Sequence, residues 1–211
     1  MIIKHIQTDM LGVNSYVLCD EKTGEGAVVD PAAFSPVFKK ALAEAGVKKL
    51  RYLLCTHGHF DHVFGIYDFK ESYPEAQVCI SKFDVPMLSD AYLNLAYHFG
   101  LQDEYKSCNA DILLEDNMVL PLGSTEIKVR NAPGHSMGSV IFQEDKDKLL
   151  FVGDVVFKGS IGRTDFPGSD IQQMAKTLEF VKKYDDAYSI FPGHKGMTTI
   201  GDEKKYNYYL R

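Results

Sequence analysis

At 211 residues, with 45% hydrophobic and 25% charged side chains, the chain has the make-up of a globular protein and is long enough for one substantial core. A net charge of −6 and the absence of any basic run argue against a nucleic-acid partner. No apolar stretch is long enough for a membrane span or a signal peptide, and four cysteines without a CxxC pair suit reduced thiols in a cytoplasm.

Taken in order, residues Ile2 to Gln7, Ser15 to Cys19 and Ala27 to Val29 read as an antiparallel meander, with the glycines of EKTGEG at 21–26 supplying a turn. Phe34 to Ala45 reads as a helix, with Pro36 in its first turn and Gly46 just past its end. An apolar strand from Leu50 to Cys55 follows, with Cys55 read as a core thiol. His62 to Ser72 is predicted as the next helix and Gln77 to Ile80 as a strand. Residues 81–105 mix helical spacing with Tyr92, Tyr97, His98, Phe99 and Tyr105; they read as short helices whose aromatics pack on the core or cover one side of a site. The second half returns to strands at Thr125 to Arg130, Ser139 to Gln143, Leu149 to Val152 and Tyr188 to Phe191, with a helix from Asp170 to Tyr184. Alternating strands and helices without a linker predict a layered α/β fold in one domain, residues 1–211.

The chemistry concentrates in THGHFDH at 56–62, where His57, His59, Asp61 and His62 offer imidazole and carboxylate donors within a short loop after an apolar strand. Surface histidines do not explain such clustering. Gly58 lets the backbone turn so that His57 and His59 face one ion, while Asp61 and His62 point elsewhere. Two more histidines follow strand-like runs in similar settings, His135 in PGHS and His194 in PGH. His5 and His98 lack such a setting and read as structural or surface residues. In LLFVGDVVF at 149–157, Asp154 interrupts an apolar run, and a buried carboxylate there needs a partner or a metal.

The order THGHFDH, PGHS, GD, PGH resembles the metallo-β-lactamase superfamily across nearly the whole chain. That resemblance implies a four-layer αββα sandwich with the metal site at one edge of its two sheets. It implies two divalent cations, zinc in first place with iron and manganese compatible. His57, His59 and His135 would form one site, Asp61, His62 and His194 the other, and Asp154 would bridge them. A water shared by two such ions becomes a hydroxide nucleophile near neutral pH, which predicts hydrolysis, with Asp61 as the catalytic residue that orients it.

KGSIGRTDFPGSD at 158–170 and the C-terminal PGHKGMTTIGDEKKYNYYL resemble the short glyoxalase II-like branch, which implies a thioester such as S-lactoylglutathione or a related acyl-thiol. Arg163 is a candidate for holding a substrate carboxylate, with a salt bridge to Asp165 or Asp170 as the competing reading. The chain departs from that branch at Asn207-Tyr208, where Asn-Pro is usual, and at Lys195, where glycine is common. Few residues follow His194, so a glutathione-binding helical region of the longer glyoxalase II type is not expected. Two alternatives remain beside the hydrolase. GRTDF also resembles persulfide dioxygenases, which would hold a single iron through His57, His135 and Asp154, although PGH fits that branch less well. A metal-stapled regulatory domain with lapsed catalysis would be expected to lose a ligand position, and all seven are filled.

Overall fold

The computed structural model describes residues 1–211. Alternation along its strands decides which layer each side chain enters. In β2 (Asn14–Cys19), Tyr16 and Leu18 join one apolar cluster while Val17 and Cys19 join another, and all six residues are buried. A strand buried on both faces must lie in a sheet covered on both sides.

That sheet runs in the order β1 (Ile2–Gln7), β2, β3 (Glu25–Val29), β4 (Lys49–Leu54), β5 (Gln77–Ser81), β6 (Ile112–Leu114). The first three strands pair antiparallel and the last four parallel. The second sheet comprises β7 (Val119–Leu122), β8 (Thr125–Asn131), β9 (Val140–Glu144) and β10 (Leu149–Gly153), followed by β13 (Ser189–Pro192) and β14 (Thr198–Thr199). Its strand order is β14-β13-β10-β9-β8-β7, and only β10 and β13 are parallel. A small hairpin of β11 (Val156–Phe157) and β12 (Ser160–Ile161) stands apart.

Tyr16, Leu18, Leu54 and Cys79 of the first sheet meet Ile127, Val129, Phe142 and Phe151 of the second, forming the central layer. The outer face of the first sheet is covered by α1 (Pro36–Glu44), α2 (Phe60–Val63) and α3 (Ile66–Ser72), through Phe38, Leu42, Val63, Ile66 and Phe69. The second sheet is covered by α4 (Ile171–Val181) and α5 (Ile200–Tyr206), through Met174, Leu178, Val181 and Ile200. Each large side chain so buried contributes about 1.5–3 kcal/mol. The result is the expected αββα sandwich. No helix is long and apolar enough to cross a membrane.

Most predicted elements appear with ends shifted by a residue or two. Pro36 opens α1 after Ser35, and Gly46 follows the helix at φ +77°. Asp170 caps α4 by accepting from the amides of Gln172 and Gln173 at 2.7 and 3.1 Å, and the helix ends at Val181, short of Tyr184. The helix expected over 62–72 is instead two, α2 and α3, and His62 lies in the first. Gly65 separates them because its amide donates to the Pro31 carbonyl at 2.9 Å instead of continuing the helix, and it must be glycine because a Cβ would stand 2.5 Å from the Ala33 carbonyl carbon. Residues 81–105 contain two 3-10 turns, Val85–Leu88 and Ala96–Phe99. Strands β6, β7, β11, β12 and β14 and helix α5 were not predicted.

Candidate metal centre

Every loop that carries a candidate ligand leaves a strand at the same edge of the sandwich. Residues 56–62 follow β4, His135 follows β8, Asp154 follows β10 and His194 follows β13. The parallel pairing of β10 with β13 brings Asp154 and His194 side by side. Glycines permit the approach: a Cβ on Gly193 would sit 2.4 Å from Asp154 Oδ1 and 2.6 Å from His62 Cε1. Gly153, at φ +49°, leaves no room for a side chain against Thr56.

The seven side chains named from the sequence converge. Donor atoms of His57, His59 and His135 lie within 4.8 Å of one another, as do those of His57, His62 and Asp154, and those of Asp61, His62 and His194. Asp154 touches all parts of the cluster. Its Oδ1 is 3.4 Å from His62 Nε2, and its Oδ2 is 3.5 Å from His135 Nε2 and 3.6 Å from His194 Nε2. Asp61 Oδ2 lies 3.4 Å from His194 Nε2 and 3.8 Å from His62 Nε2. Two donors on one tetrahedral ion at zinc-ligand distances stand about 3.4 Å apart. All seven residues are buried except His194, which is partly open to solvent.

Outer partners fix how the rings present themselves. Thr56 Oγ1 donates to Asp30 Oδ2 at 2.8 Å and therefore accepts from His57 Nδ1, 3.1 Å away. His62 Nδ1 donates to Asp30 Oδ2 at 2.9 Å, and His135 Nδ1 donates to the Arg163 carbonyl at 2.8 Å. In neutral His57 and His135 this leaves an Nε2 lone pair facing the cluster, as metal-binding imidazoles require. His59 Nδ1 lies 2.9 Å from His135 Nε2, so the two rings point at one spot. Four buried atoms of the cluster, His57 Nε2, His59 Nε2, His62 Nε2 and Asp154 Oδ1, have no hydrogen-bond partner, and outside it only Arg130 Nε shares that condition. Leaving such atoms unsatisfied costs about 1–3 kcal/mol each. Divalent ions remove that cost at His57, His62 and Asp154, and the donor set fits them; His59 faces the same spot through Nδ1, so its Nε2 is directed elsewhere.

Before any ion binds, burial and the neighbouring imidazoles hold His57 well below its ordinary pKa and His59 down at about 3. Burial also opposes a charge on His62, but Asp61, Asp154 and Asp30 overcome it and raise His62 to about 10. Burial would raise Asp61, yet His62 and His194 pull it down to about 2, so it is ionised at neutral pH.

Two supporting carboxylates were not picked out from the sequence. Asp30, at φ +50° just past β3, joins Thr56 to His62 and also accepts from the Thr56 amide at 2.8 Å. The signal was present in VVDP, an aspartate ending an apolar strand just as Asp154 does. Asp84 accepts from Gly58 N at 2.9 Å, Gly138 N at 2.8 Å and Ser136 Oγ at 2.6 Å, tying the two histidine loops together. Nothing local in KFDVP marks it. Arg163 is exposed and pairs with Asp165 through Nε and Nη2 at 2.8 and 2.9 Å, its guanidinium 4.2 Å from the Phe166 ring centroid. His5 is bonded to Asn14 and stacked on Tyr16, while His98 is exposed beside Tyr92; neither adjoins the cluster. Cys55 is fully buried beneath the helices of the first sheet, and all four cysteines are free.

The family model of the metallo-beta-lactamase superfamily matches residues 8–194. The chain belongs to that superfamily. It is 33% identical to an uncharacterized protein of Aquifex aeolicus, with 98% of this chain and 96% of the relative covered. It is 32% identical to hydroxyacylglutathione hydrolase GloC of Haemophilus influenzae, over 93% of this chain and 91% of that one. Among solved structures it resembles the B3 metallo-beta-lactamase BLEG-1, with a TM-score of 0.90, 29% identity and 99% of each chain covered. TTHA1623 in a di-iron-bound form matches with a TM-score of 0.85 and 27% identity, over 98% of this chain and 100% of that one. The superfamily, the fold and the histidine–aspartate cluster together make the chain a metal-dependent hydrolase of glyoxalase II-like relationship.

Proposed function

We propose that the chain hydrolyses thioesters of the acyl-thiol class, S-lactoylglutathione among them, with two divalent ions held at the cluster. The observation that carries this reading is the convergence of seven donors, with His57 Nε2, His62 Nε2 and Asp154 Oδ1 buried and unpartnered among them. Its likeness to the hydroxyacylglutathione hydrolase of Haemophilus influenzae supports the thioester. In this reading His57, His59 and His135 hold one ion and Asp61, His62 and His194 the other, with Asp154 shared. Zinc suits the imidazole and carboxylate donors, and the di-iron form of TTHA1623 makes iron the main competitor. Because the ligands come from both sheets, we infer that residues 1–211 act as one domain. Four free thiols support a reducing, cytoplasmic setting.

When bound, divalent ions bring the pKa of a water towards 7 and polarise a carbonyl oxygen. Asp61 is ionised and buried, so it accepts a hydrogen bond from the attacking water and orients it. His62, fixed through Asp30, and His194, at the open rim, hold the opposite side. A carbon–oxygen bond forms as the carbon–sulfur bond breaks, and the two protons of the water pass to solvent; the products are a carboxylate and a thiolate, which departs without strong acid assistance because thiols ionise near pH 8.5. Arg163 would receive a substrate carboxylate by exchanging it for Asp165, an exposed ion pair worth about 1 kcal/mol or less.

Metal content of the purified protein, measured together with thiol release from S-D-lactoylglutathione, tests the reading. Two metals per chain with turnover lost in Asp61→Ala and His194→Ala is the expected result. One iron per chain, no thiol release, and oxygen uptake on glutathione persulfide would overturn it in favour of the dioxygenase.

A further inference from the structure

Exposed apolar side chains gather beside the metal centre. Phe83, Tyr92, Leu93, Tyr97 and Phe99, with Met137 from the neighbouring loop, are all between 40% and 58% exposed. All of them but Tyr97 lie along two adjoining hollows. One, of about 210 Å³, is walled by Phe83, Pro86, Met87, Leu93 and Met137; the other, of about 220 Å³, by Leu95, Phe99 and Phe166. Pro167 borders both, so together they form one groove.

This groove is continuous with the catalytic edge. Ser136, next to His135, lines the first hollow, and Phe166 of the second lies edge-on to His59 and His135, with centroids 5.5 and 6.0 Å away. The far wall is bonded to the metal loop. The Phe60 amide donates to the Asn94 carbonyl at 2.9 Å, the Gly58 amide donates to Asp84, and the Phe60 and Phe99 rings pack at 5.0 Å. Leu95 is held at φ +74°, a left-handed conformation that costs a branched side chain of order 1–3 kcal/mol. Buried Asn94 maintains it with bonds to the Met87 carbonyl and the Ala96 amide.

The lining has no lysine or arginine. Its ionisable members are Tyr92, His98 and Asp84, and the oxygens of Asp84 are occupied by Gly58, Ser136 and Gly138. The cations nearest to it, Lys82 with Nζ 5.4 Å from the Phe83 ring centroid and Arg163 4.2 Å from that of Phe166, stand at the rim, and between them a hydrocarbon chain finds apolar walls beside the reacting centre. We propose that this groove holds the apolar acyl chain of the substrate, so that the preferred thioesters carry a chain of several methylenes rather than a lactoyl group. The inference rests on the thioester reading above.

Non-hydrolysable S-ethyl, S-butyl and S-hexyl thioethers of N-acetylcysteamine, titrated calorimetrically, report on the groove separately from turnover. Binding tightens about fourfold per added methylene until the chain outgrows the hollows, with a negative heat-capacity change. The double variant Phe83→Ala with Leu93→Ala, whose side chains are exposed, flattens the series while its thermal midpoint stays near that of the parent. Hydrolysis of the matching acetyl, butyryl and hexanoyl thioesters then rises with length in kcat/KM. Binding that ignores chain length, or is unchanged in the double variant, overturns the groove whatever turnover shows. Chain-dependent binding without hydrolysis at any length keeps the groove as an apolar-ligand site and sinks the thioester reading instead.

Discussion

Asp84 is the sharpest test of how the metal loops are held. Its carboxylate is 2% exposed and accepts from Gly58, Gly138 and Ser136, that is, from the loop between His57 and His59 and from the loop after His135. The approach is close, because a Cβ on Gly138 would stand 2.4 Å from Asp84 Cγ. In Asp84→Ala two buried backbone N–H groups and one hydroxyl lose their acceptor. Each orphaned amide costs about 1–3 kcal/mol, part of it recovered if water enters the space left behind. Burial also pushes the Asp84 carboxyl above its ordinary pKa, so its removal returns some desolvation energy. The expected net loss is about 2–4 kcal/mol. Asp84→Asn keeps one acceptor and turns an NH2 towards the other donors, so it falls between wild type and Ala. The two loops carry five of the seven donors, and metal affinity should drop about 10–100-fold, as for other outer supports of ligating histidines. Urea unfolding followed by circular dichroism, with competition against a chelator of known zinc affinity, measures both. An Ala variant within about 0.5 kcal/mol of wild type at unchanged m-value, and within twofold in metal affinity, would refute this account of the loop tie.

Three further outcomes are expected. Asp30→Asn should weaken metal binding about 10–100-fold, because the hydrogen bonds from Thr56 and His62 lose part of their acceptor; unaltered affinity would count against the orienting role. Gly153→Ala should cost more than about 3 kcal/mol or abolish folding, since its Cβ would stand 2.2 Å from Thr56 Oγ1 at a positive φ, and a midpoint shift below a few degrees would contradict the packing. Chelator-stripped protein should be most stable near pH 6.5. On the acid side, His57 and His59, lowered from an ordinary 6.5, must take up protons on unfolding, so stability is lost as pH falls from 6.5 towards about 3. On the alkaline side, His62 is raised to about 10, and its contribution, complete below 6.5, is lost as pH rises towards 10. A thermal midpoint still climbing at pH 9 without metal would show that the His62 charge is not held as described.

What could be read from the sequence divides along the range of the interactions involved. His57, His59, Asp61 and His62 announce themselves because one ion needs several donors and a short loop supplies them; His135, Asp154 and His194 do so because each ends an apolar run. Strand alternation and the proline and glycine at the ends of α1 are local signals and placed the elements well. The single helix expected over 62–72 failed for a long-range reason: its periodicity was sound, but Gly65 must lie against Ala33, and no local pattern records that contact. Strands β6 and β7 were hidden for the same kind of reason, since their pairing partners are β5 and β8 and each is short, with Glu115, Asp116 and Asn117 between them. Helix α5 did carry a signal, Thr199 three residues before Asp202, and Thr199 does accept from the Asp202 amide at 3.1 Å.

Asp84 marks where reading ends. Its partners lie 26, 52 and 54 residues away, so its value to the site depends on a fold that must already exist. Asp30 is intermediate: the strand-end pattern that singled out Asp154 is equally present in VVDP, and what was missing was the histidine 32 positions on that would use it. Donors that touch an ion share a common chemistry and cluster by type, whereas the groups that aim those donors need only an acceptor in the right place, and any aspartate, threonine or carbonyl supplies one. The Arg163 carbonyl shows this most plainly, because it orients His135 through an atom that every residue possesses.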